Sequence, residues 1–372
     1  MIKNFNKFKN KTVIITGHTG FKGSWLTIWL TYLGAKVIGL SNNIPTKPSN
    51  FILNNLKNKI KHIVLDIRDQ KKLRKVIVKH KPDYIFHLAA QSLVKKSYLK
   101  SKYTFETNSI GTLNLLEALK NYNLKKICSV VLVTSDKSYK NLELNRGYSE
   151  TDILGGYDPY SASKACAELI IQCYLKSFLK DERKVRISVA RAGNVIGGGD
   201  WSEDRLVPDC MRSILKKKKL FIRFPNSTRP WQHVLEALCG YMTLALKQKT
   251  NYDLNKEVFN FGPNNKSSIT VLDLIKRIKL KWKNLQWQIS NKSKRVYESK
   301  LLKLNSNKAL KLLKWKCYLN ADQSLDMVID WYKYLYTKKE KNMYENSIII
   351  LTSDHGYPDP STGLNKNTMR NM

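Results

Sequence analysis

The feature that most constrains this chain is an apolar segment followed at once by three evenly spaced glycines. Residues 12–16 are apolar or β-branched, Gly17, Gly20 and Gly23 follow, and an apolar-periodic segment begins at Trp25. This order predicts a strand, a tight turn and a helix, because glycine permits the turn and the close approach of a ligand. The free N–H groups at the helix start suit a pyrophosphate, so we predict a dinucleotide site. The alternative is a glycine turn without a ligand.

Strand-like and helical patterns alternate through the first half of the chain. The predicted strands are 12–16, 36–40, 62–67, 82–91, 128–134 and 185–191. Repeated strand–helix units with short links predict an α/β fold, namely a Rossmann-type doubly wound parallel sheet. The later pattern is mixed and indicates a smaller mixed α/β substrate-binding lobe, with helices predicted over 206–215, 235–246, 271–280 and 322–336.

We therefore divide the chain into three parts. Residues 1–192 are predicted to form the dinucleotide-binding domain, and residues 193–340 the lobe, interleaved with the first. Residues 341–372 do not follow this pattern. Within them, Ser347–Gly356 resembles a metal-ligand motif of the sulfatase and alkaline-phosphatase superfamily, but the further ligands that such a site needs are not found upstream. We expect a disordered tail or one foreign to the fold.

Composition narrows the classes of function. The net charge of +37 would suit nucleic acid, but the lysines are scattered and no nucleic-acid-binding signature accompanies them. We predict no nucleic-acid and no membrane partner, because no apolar stretch approaches the ~18 residues of a membrane span. The basic start lacks a signal-peptide core, which favours a cytoplasmic protein. The six cysteines form no Cys-x-x-Cys pair, which favours free thiols and no metal site.

The ends of the predicted strands indicate where a cofactor would lie. The second strand leads into Ser41-Asn42-Asn43, so neither an acid for a ribose nor an arginine for a 2′-phosphate stands there. Asp66 ends the third strand and could receive an adenine amino group; alternatively it caps the helix that begins at Gln70. Ala89 and Ala90 end the fourth strand with small side chains, which leave room for a cofactor.

A tyrosine and a lysine stand four residues apart on one predicted helix face. The lysine cation of Lys164 is expected to lower the pKa of Tyr160, making the phenol a general base for a sugar hydroxyl. The same spacing recurs elsewhere, for example at Tyr98, Tyr122, Tyr252 and Tyr334, so the spacing alone is a weak signal. Only the Tyr160 pair follows the buried strand that ends in Ser135.

Three polar residues follow that strand. Ser135 could hydrogen-bond the same sugar hydroxyl or cap a turn. Asp136 and Lys137 place an acid and a base side by side. An elimination needs both, one to take a proton from carbon and one to protonate the leaving hydroxyl. The alternative is a surface ion pair.

These stretches together resemble the extended short-chain dehydrogenase/reductase family and, within it, the CDP-glucose 4,6-dehydratase group. The matching segments are 16–26, 87–91, 134–139, 160 with 164, 191–201 and 229–236, which span most of residues 10–336. The Asp-Lys pair at 136–137 distinguishes this group, because related dehydratases carry Asp-Glu there.

The resemblance implies bound NAD and the conversion of CDP-glucose into CDP-4-keto-6-deoxyglucose for deoxysugar and surface-polysaccharide (O-antigen) synthesis. Tyr160 would take the 4-hydroxyl proton, Lys137 as a neutral amine the carbon-5 proton, and Asp136 as an acid would protonate the departing 6-hydroxyl. The amine form of Lys137 requires a lowered pKa. Relatives imply a homodimer or homotetramer. The alternatives are an epimerase or dehydratase acting on a dTDP- or GDP-sugar, or a non-catalytic NAD-binding protein.

The resemblance also assigns the contacts. The implied catalytic residues are Ser135, Asp136, Lys137, Tyr160 and Lys164. The implied cofactor-binding residues are Gly17, Thr19, Gly20, Phe21, Lys22, Gly23, Asp66, Ile67, Leu88, Ala89, Ala90, Asn108, Tyr160 and Lys164. The implied substrate-binding residues are Gln91, Asn194, Arg205, Arg229 and His233, in which arginine suits bidentate contact with a pyrophosphate.

Overall fold

The computed structural model describes residues 2–120, 122, 126–179, 183–263, 269–290 and 301–340. The prediction for residues 341–372, including the segment 347–356, lies outside the described residues.

The described elements follow the predicted order. The strands are β1 (Thr12–Thr16), β2 (Lys36–Ser41), β3 (Lys61–Val64), β4 (Tyr84–His87), β5 (Cys128–Val133), β6 (Val185–Ala192), β7 (Val195–Ile196), β8 (Leu220–Ile222), β9 (Thr228–Arg229), β10 (Gln232–His233), β11 (Val258–Phe261), β12 (Ile269–Thr270) and β13 (Trp287–Ile289). The helices are α1 (Phe21–Tyr32), α2 (Asn50–Leu53), α3 (Leu56–Lys59), α4 (Gln70–His80), α5 (Val94–Leu99), α6 (Ser101–Phe105), α7 (Gly111–Lys120), α8 (Pro159–Ser177), α9 (Leu206–Leu215), α10 (Val234–Thr250), α11 (Val271–Lys281), α12 (Asn307–Leu313) and α13 (Ala321–Glu340).

Seven strands form one parallel sheet in the order β11-β6-β5-β4-β1-β2-β3. The strand order reverses between β1 and β4, and ligands of open α/β sheets bind beyond the carboxyl ends of the strands at such a point. Thr16 and His87, the last residues of these two strands, are register partners. The predicted Rossmann-type doubly wound sheet is confirmed.

The central strand β5 explains why its sequence is apolar throughout. Val131 and Val133 pack into the hydrophobic cluster that includes α1, α10 and α13. Val130 and Leu132 pack into the cluster that includes α4, α7 and α8. Burial on both faces removes the polar alternation that a half-exposed strand would show. It also fixes the direction in which the polar residues after β5 emerge from the sheet.

The second half of the chain returns to this sheet. Strand β11 pairs in parallel with β6, although the sequence pattern did not predict a strand there. The other late strands form two-stranded sheets outside the main one, namely β10 with β7, β12 with β9, and β13 with β8. Residues 258–261 thus belong to the main sheet, and the division into two domains stays a prediction. Among the described helices, none combines the length and the apolar character needed to traverse a bilayer.

Candidate active site

One cavity of about 340 Å³ collects residues from both parts of the chain. It opens beyond the carboxyl end of β5, between the sheet and the lobe. Nine of the predicted site residues line it: Phe21, Lys22, Ser135, Asp136, Lys137, Tyr160, Asn194, Arg205 and Arg229. The first six come from residues 1–192, on α1, on α8 and in the turn after β5, and the last three come from residues 193–340, so a molecule in this cavity would touch both parts of the chain.

The glycine turn is built for close backbone packing. Gly17 has φ +74°, and a Cβ there would lie 2.7 Å from the backbone nitrogen of Ala89. A Cβ on Gly23 would lie 2.1 Å from the carbonyl oxygen of Gly17. Both positions therefore require glycine. Gly20 is the N-cap of α1, and the first N–H groups of any helix have no intrahelical acceptor, so this turn fits a pyrophosphate.

The residues around the ends of β2 and β3 are joined to this turn. The Thr19 hydroxyl lies 2.7 Å from both the Ser41 hydroxyl and the Asn43 carbonyl oxygen. Asp66 is held by the Arg68 guanidinium, whose hydrogen bonds lower the pKa of the carboxyl. The alternative prediction that Asp66 caps α4 is wrong, because Asp69 caps this helix by accepting from the backbone N–H of Lys72 at 3.0 Å.

The small residues after β4 lie against the glycine turn. Leu88 donates its backbone N–H to the Thr16 carbonyl at 3.1 Å, and Ala89 donates to the Thr16 hydroxyl at 3.2 Å. Leu88, Ala89 and Ala90 are half-buried. Ile67 instead belongs to the buried core on one face of the sheet, so only its backbone is suited to contact a cofactor.

Asn108 lies in a five-residue π-helical segment, Glu106–Ile110, between α6 and α7. Its side chain accepts from the backbone N–H of Gln91 at 2.8 Å and donates to the Gln91 carbonyl at 3.0 Å. It also donates to the Ser163 hydroxyl at 2.8 Å. The widened turn, a feature frequent at functional sites, thus ties the loop after β4 to α8.

Tyr160 and Lys164 lie on α8, both buried, and Tyr160 lines the cavity. Burial raises the pKa of Tyr160 to about 12, and hydrogen bonding to Ser135 opposes this rise. The predicted lowering of the tyrosine pKa by Lys164 is therefore wrong for the chain by itself, because desolvation of the phenolate outweighs the other effects. Burial also lowers the pKa of Lys164 to about 8. Its Nζ donates to the Val133 carbonyl at 3.4 Å.

Asp136 is almost fully buried, with 2% of its surface exposed. Its Oδ1 accepts from the Ser135 hydroxyl at 3.0 Å, whereas Oδ2 has no hydrogen-bond partner within the described part of the chain. Burial raises the pKa of Asp136 against the opposing charge of Lys137, which favours the acid form. The alternative of a surface ion pair is therefore wrong. Ser135 also accepts from the backbone N–H of Lys137 at 3.2 Å, so it caps this turn as well.

The lobe side of the cavity carries two arginines. Arg229 is 4% exposed and donates to the Thr228 carbonyl at 2.7 Å. Arg205 is half-buried and donates to Asp200 at 3.0 Å and to Ser92 at 2.9 Å, which joins the lobe to the loop after β4. Both arginines line the cavity, and their guanidinium groups are suited to an anion.

Two predicted substrate contacts do not line this cavity. The amide of Gln91 accepts from the Leu93 N–H at 2.8 Å and donates to the Leu93 carbonyl at 3.0 Å and to the Thr104 hydroxyl of α6 at 3.1 Å. His233 caps α10 by accepting from the backbone N–H of Leu235 at 3.4 Å, and burial lowers its pKa to about 4. Both residues lie outside the lining of this cavity, and their assignment as substrate ligands stays a prediction.

Two charged residues lie closer to the Asp136–Lys137 turn than the sequence indicated. Lys22, predicted to serve the cofactor, lines the cavity beside the reactive residues, and burial lowers its pKa to about 7. Glu168 is buried beneath them and was not predicted. Its signal in the sequence is its spacing: Tyr160, Lys164 and Glu168 follow at intervals of four, on one face of α8.

Comparisons with known proteins agree with this geometry. The model of the GDP-mannose 4,6-dehydratase family matches residues 14–328. The CDP-glucose 4,6-dehydratase of Salmonella typhimurium is 42% identical over 336 residues, which cover 89% of this chain and 92% of that protein. The dTDP-D-glucose 4,6-dehydratase of Dictyostelium discoideum is 32% identical over 284 residues, covering 72% of this chain and 61% of the relative.

Solved structures share the fold. The dTDP-glucose 4,6-dehydratase of Bacillus anthracis, solved in complex with NAD, superposes with a TM-score of 0.71 at 23% identity, covering 87% of this chain and 97% of that one. The UDP-glucuronic acid 4-epimerase of Bacillus cereus superposes with a TM-score of 0.74 at 23% identity, covering 87% and 100%. On the extent of the family match and of the Salmonella relative, this chain belongs to the GDP-mannose 4,6-dehydratase family.

Proposed function

We propose that this chain is an NAD-dependent 4,6-dehydratase that converts CDP-glucose into CDP-4-keto-6-deoxyglucose. One observation carries the proposal: a single cavity holds a buried acid, a neighbouring amine and the Tyr160 phenol. A simple reductase or epimerase needs only the phenol and its lysine. The added Asp136–Lys137 pair supplies the acid and the base that loss of water requires.

The glycine turn and the adjoining strand ends would hold the cofactor. Gly17, Gly20 and Gly23 give the backbone access to a pyrophosphate, and Thr19 and Asp66 lie toward the adenosine end. When bound, NAD supplies a hydride acceptor and a positively charged ring. The Bacillus anthracis relative solved with NAD supports this choice over NADP.

The first chemical step requires a base at the 4-hydroxyl of the sugar. Tyr160 is the residue of the cavity suited to this role: it lines the cavity together with Ser135, whose hydrogen bonding opposes the rise of the Tyr160 pKa, and Lys164 follows one turn later on α8. Because burial alone keeps the phenol protonated, this role needs the extra positive charge that the cofactor brings. Removal of the hydroxyl proton together with a hydride produces the ketone.

The second step is the elimination. The ketone acidifies the neighbouring carbon 5, and Lys137, which lies half-buried at the cavity wall, takes that proton. Asp136 protonates the departing 6-hydroxyl. Its burial and its Oδ2 without a protein partner support the acid form and a free direction for proton donation. The hydride would then return to carbon 6 and a proton from Lys137 to carbon 5, so the reaction loses water with no net oxidation.

The lobe would hold the nucleotide part of the substrate. Arg205 and Arg229 are suited to the pyrophosphate, and Asn194 lies beside them on the cavity wall. The choice of CDP-glucose rests on the Salmonella relative and on the Asp-Lys pair. A dTDP- or GDP-sugar dehydratase is the alternative.

We further propose a cytoplasmic homodimer or homotetramer that serves deoxysugar synthesis for surface polysaccharide. Exposed apolar side chains on α5, on α8 and just after α8 support self-association. Leu99 is 79% exposed, Leu169 57% and Phe178 49%. Charged nucleotide sugars and NAD do not cross a bilayer unaided, which supports the location. We expect no nucleic-acid or membrane partner.

The test is incubation of the purified protein with CDP-glucose, dTDP-glucose, GDP-mannose and UDP-glucose, followed by mass spectrometry. If the proposal is correct, CDP-glucose yields more product lighter by one water molecule than any of the other three sugar nucleotides. A product of unchanged mass would indicate an epimerase. Loss of water from dTDP-glucose or GDP-mannose alone would overturn the choice of nucleotide.

A further inference from the structure

A buried carboxylate beneath the cavity contacts every element that carries a proposed reactive residue. Glu168 and its partner Arg191 are each 1% exposed, and neither lines the cavity. Glu168 follows Tyr160 and Lys164 along α8 at intervals of four residues. A charged pair buried this deeply needs several hydrogen bonds to offset its desolvation.

Glu168 receives those hydrogen bonds from three other elements. Its Oε1 accepts from the Thr134 hydroxyl at 2.6 Å, where β5 ends, and from Arg191 Nε of β6 at 2.8 Å. The Ser138 hydroxyl lies 2.9 Å from the same oxygen and 2.7 Å from the Ser135 carbonyl, so its proton is shared between them. Glu168 Oε2 is paired with Arg191 Nη2.

Ser138 is the last residue of the short 3-10 helix that begins at Asp136 and includes Lys137. The Glu168 carboxylate therefore joins α8, which carries Tyr160 and Lys164, to the turn formed by Asp136 and Lys137. The two pairs serve different steps of the proposed reaction, and they must face one sugar ring from fixed positions.

Arg191 extends the same connection away from the cavity. Its Nη1 donates to the Tyr139 hydroxyl at 2.6 Å and to the Glu150 carbonyl at 3.2 Å. The Tyr139 hydroxyl in turn donates to Asn260 Oδ1 of β11 at 2.8 Å. The residue that follows the turn is thereby fixed to the edge strand of the sheet.

We propose that Glu168 is a positioning residue that holds the Asp136–Lys137 turn in register with Tyr160 and Lys164. The inference rests on the proposed roles of those four residues. An amide cannot replace the carboxylate, because it offers one accepting oxygen to these donors and leaves the Arg191 charge buried without its counter-ion.

The first test is Ser138→Ala, which removes the contact to the turn and leaves the buried ion pair intact. We expect kcat for the sugar nucleotide that the wild type turns over to fall about 3- to 10-fold, with KM within about twofold. Reduced nicotinamide, measured by its near-ultraviolet absorbance, should build up during turnover, because the oxidation half stays in place while the elimination half is displaced. An unchanged kcat with no such absorbance would overturn the proposal.

The second test is Glu168→Gln, with Glu117→Gln as the matched control. Glu117 lies on α7 and accepts a hydrogen bond from Tyr174, which lies on α8. Among the described residues, Glu117 makes no hydrogen bond or ion pair with the Asp136–Lys137 turn. We expect Glu168→Gln to lose kcat about 30-fold or more, and the Glu168→Gln/Ser138→Ala double variant to lose about the same, because one contact acts through the other. Glu117→Gln should keep wild-type kcat.

The outcomes separate this inference from the proposed function. Full additivity of the two losses in the double variant, or an equal loss in Glu117→Gln, would show a general structural effect and overturn the positioning role. If Glu168→Gln does not fold, the Ser138→Ala result decides alone. Absence of dehydration by the wild type would instead overturn the proposed function.

Discussion

The two walls of the cavity are built in different ways. On the sheet wall, each reactive side chain follows a buried strand or lies on a long helix, and Asp136 and Tyr160 are fixed by deep burial. On the lobe wall, Arg205 is the N-cap of α9 and is paired with Asp200, whereas Arg229 is buried in the two-residue strand β9. Under the proposed function, the sheet wall would carry out the chemistry, whereas the lobe wall would select the sugar nucleotide.

The largest expected effect lies on the sheet wall. Tyr160→Phe removes the base of the first step while keeping the buried ring, so we expect kcat to fall about 10³-fold or more. Steady-state turnover of CDP-glucose, with circular dichroism as the control for folding, measures it. A variant that kept more than about a tenth of wild-type kcat would remove Tyr160 from its role.

A second variant separates the two steps on that wall. Lys137→Ala should lower kcat about 10²-fold while leaving hydride removal from the sugar possible. Rapid mixing with CDP-glucose should therefore show reduced nicotinamide that forms and does not decay at the wild-type rate. Lys137→Arg is the matched control for charge, since it keeps the cation but cannot act as a neutral amine. Unchanged dehydration in Lys137→Ala would refute the base assignment.

The lobe wall should respond in KM more than in kcat. Arg229→Gln is expected to raise KM for CDP-glucose about 10-fold, because Arg229 is buried at the cavity and contributes a charge-assisted contact with the pyrophosphate. Arg205→Gln should have a smaller effect, because Arg205 is more exposed and already paired with Asp200. If both variants lost kcat at constant KM, the proposal that the lobe wall serves substrate binding and the sheet wall the chemistry would be wrong.

The smallest expected effect concerns the pH dependence of stability. Burial lowers the pKa of Lys22 to about 7, compared with 10.5 for an ordinary lysine. Between these values the unfolded chain binds more protons than the folded one, so the free energy of unfolding rises with pH across this window. Below pH 7 the penalty for the buried ammonium is fully present.

Lys22→Met removes that penalty. The stability advantage of the variant over the wild type should therefore be largest near pH 7 and should shrink as the pH rises toward 10, measured by urea unfolding at several pH values. Parallel pH curves for the two proteins would contradict the buried position of the Lys22 amine.

Much of the sheet wall could be predicted from the sequence, since local patterns determine it. The β1–glycine–α1 order gave the turn, and the apolar run of β5 gave the edge at which Ser135, Asp136 and Lys137 emerge. The spacing of Tyr160 and Lys164, together with their position after the buried strand, predicted this pair. The predicted direction of the Tyr160 pKa shift was wrong, because the shift depends on burial in the folded protein and residue spacing gives no information about burial.

The lobe wall and the supporting contacts were less predictable. Gln91 and His233 have residue types that suit a substrate, but long-range and capping hydrogen bonds use their polar atoms elsewhere. Strand β11 is short, and more than sixty residues separate it from the end of β6, the strand that it joins in the sheet. The local sequence pattern therefore did not predict it. Glu168 carried a spacing signal, yet its partners Thr134, Ser138 and Arg191 come together only in the fold.

The most direct test of the central claim is the reaction of CDP-glucose in heavy water, with the product analysed by NMR. If Tyr160 takes the 4-hydroxyl proton while carbon 4 loses a hydride, and the Asp136–Lys137 pair then removes water, the product is the 4-keto-6-deoxy sugar carrying solvent deuterium at carbon 5. A sugar epimerised at carbon 4 that keeps its 6-hydroxyl and carries no deuterium at carbon 5 would contradict the account.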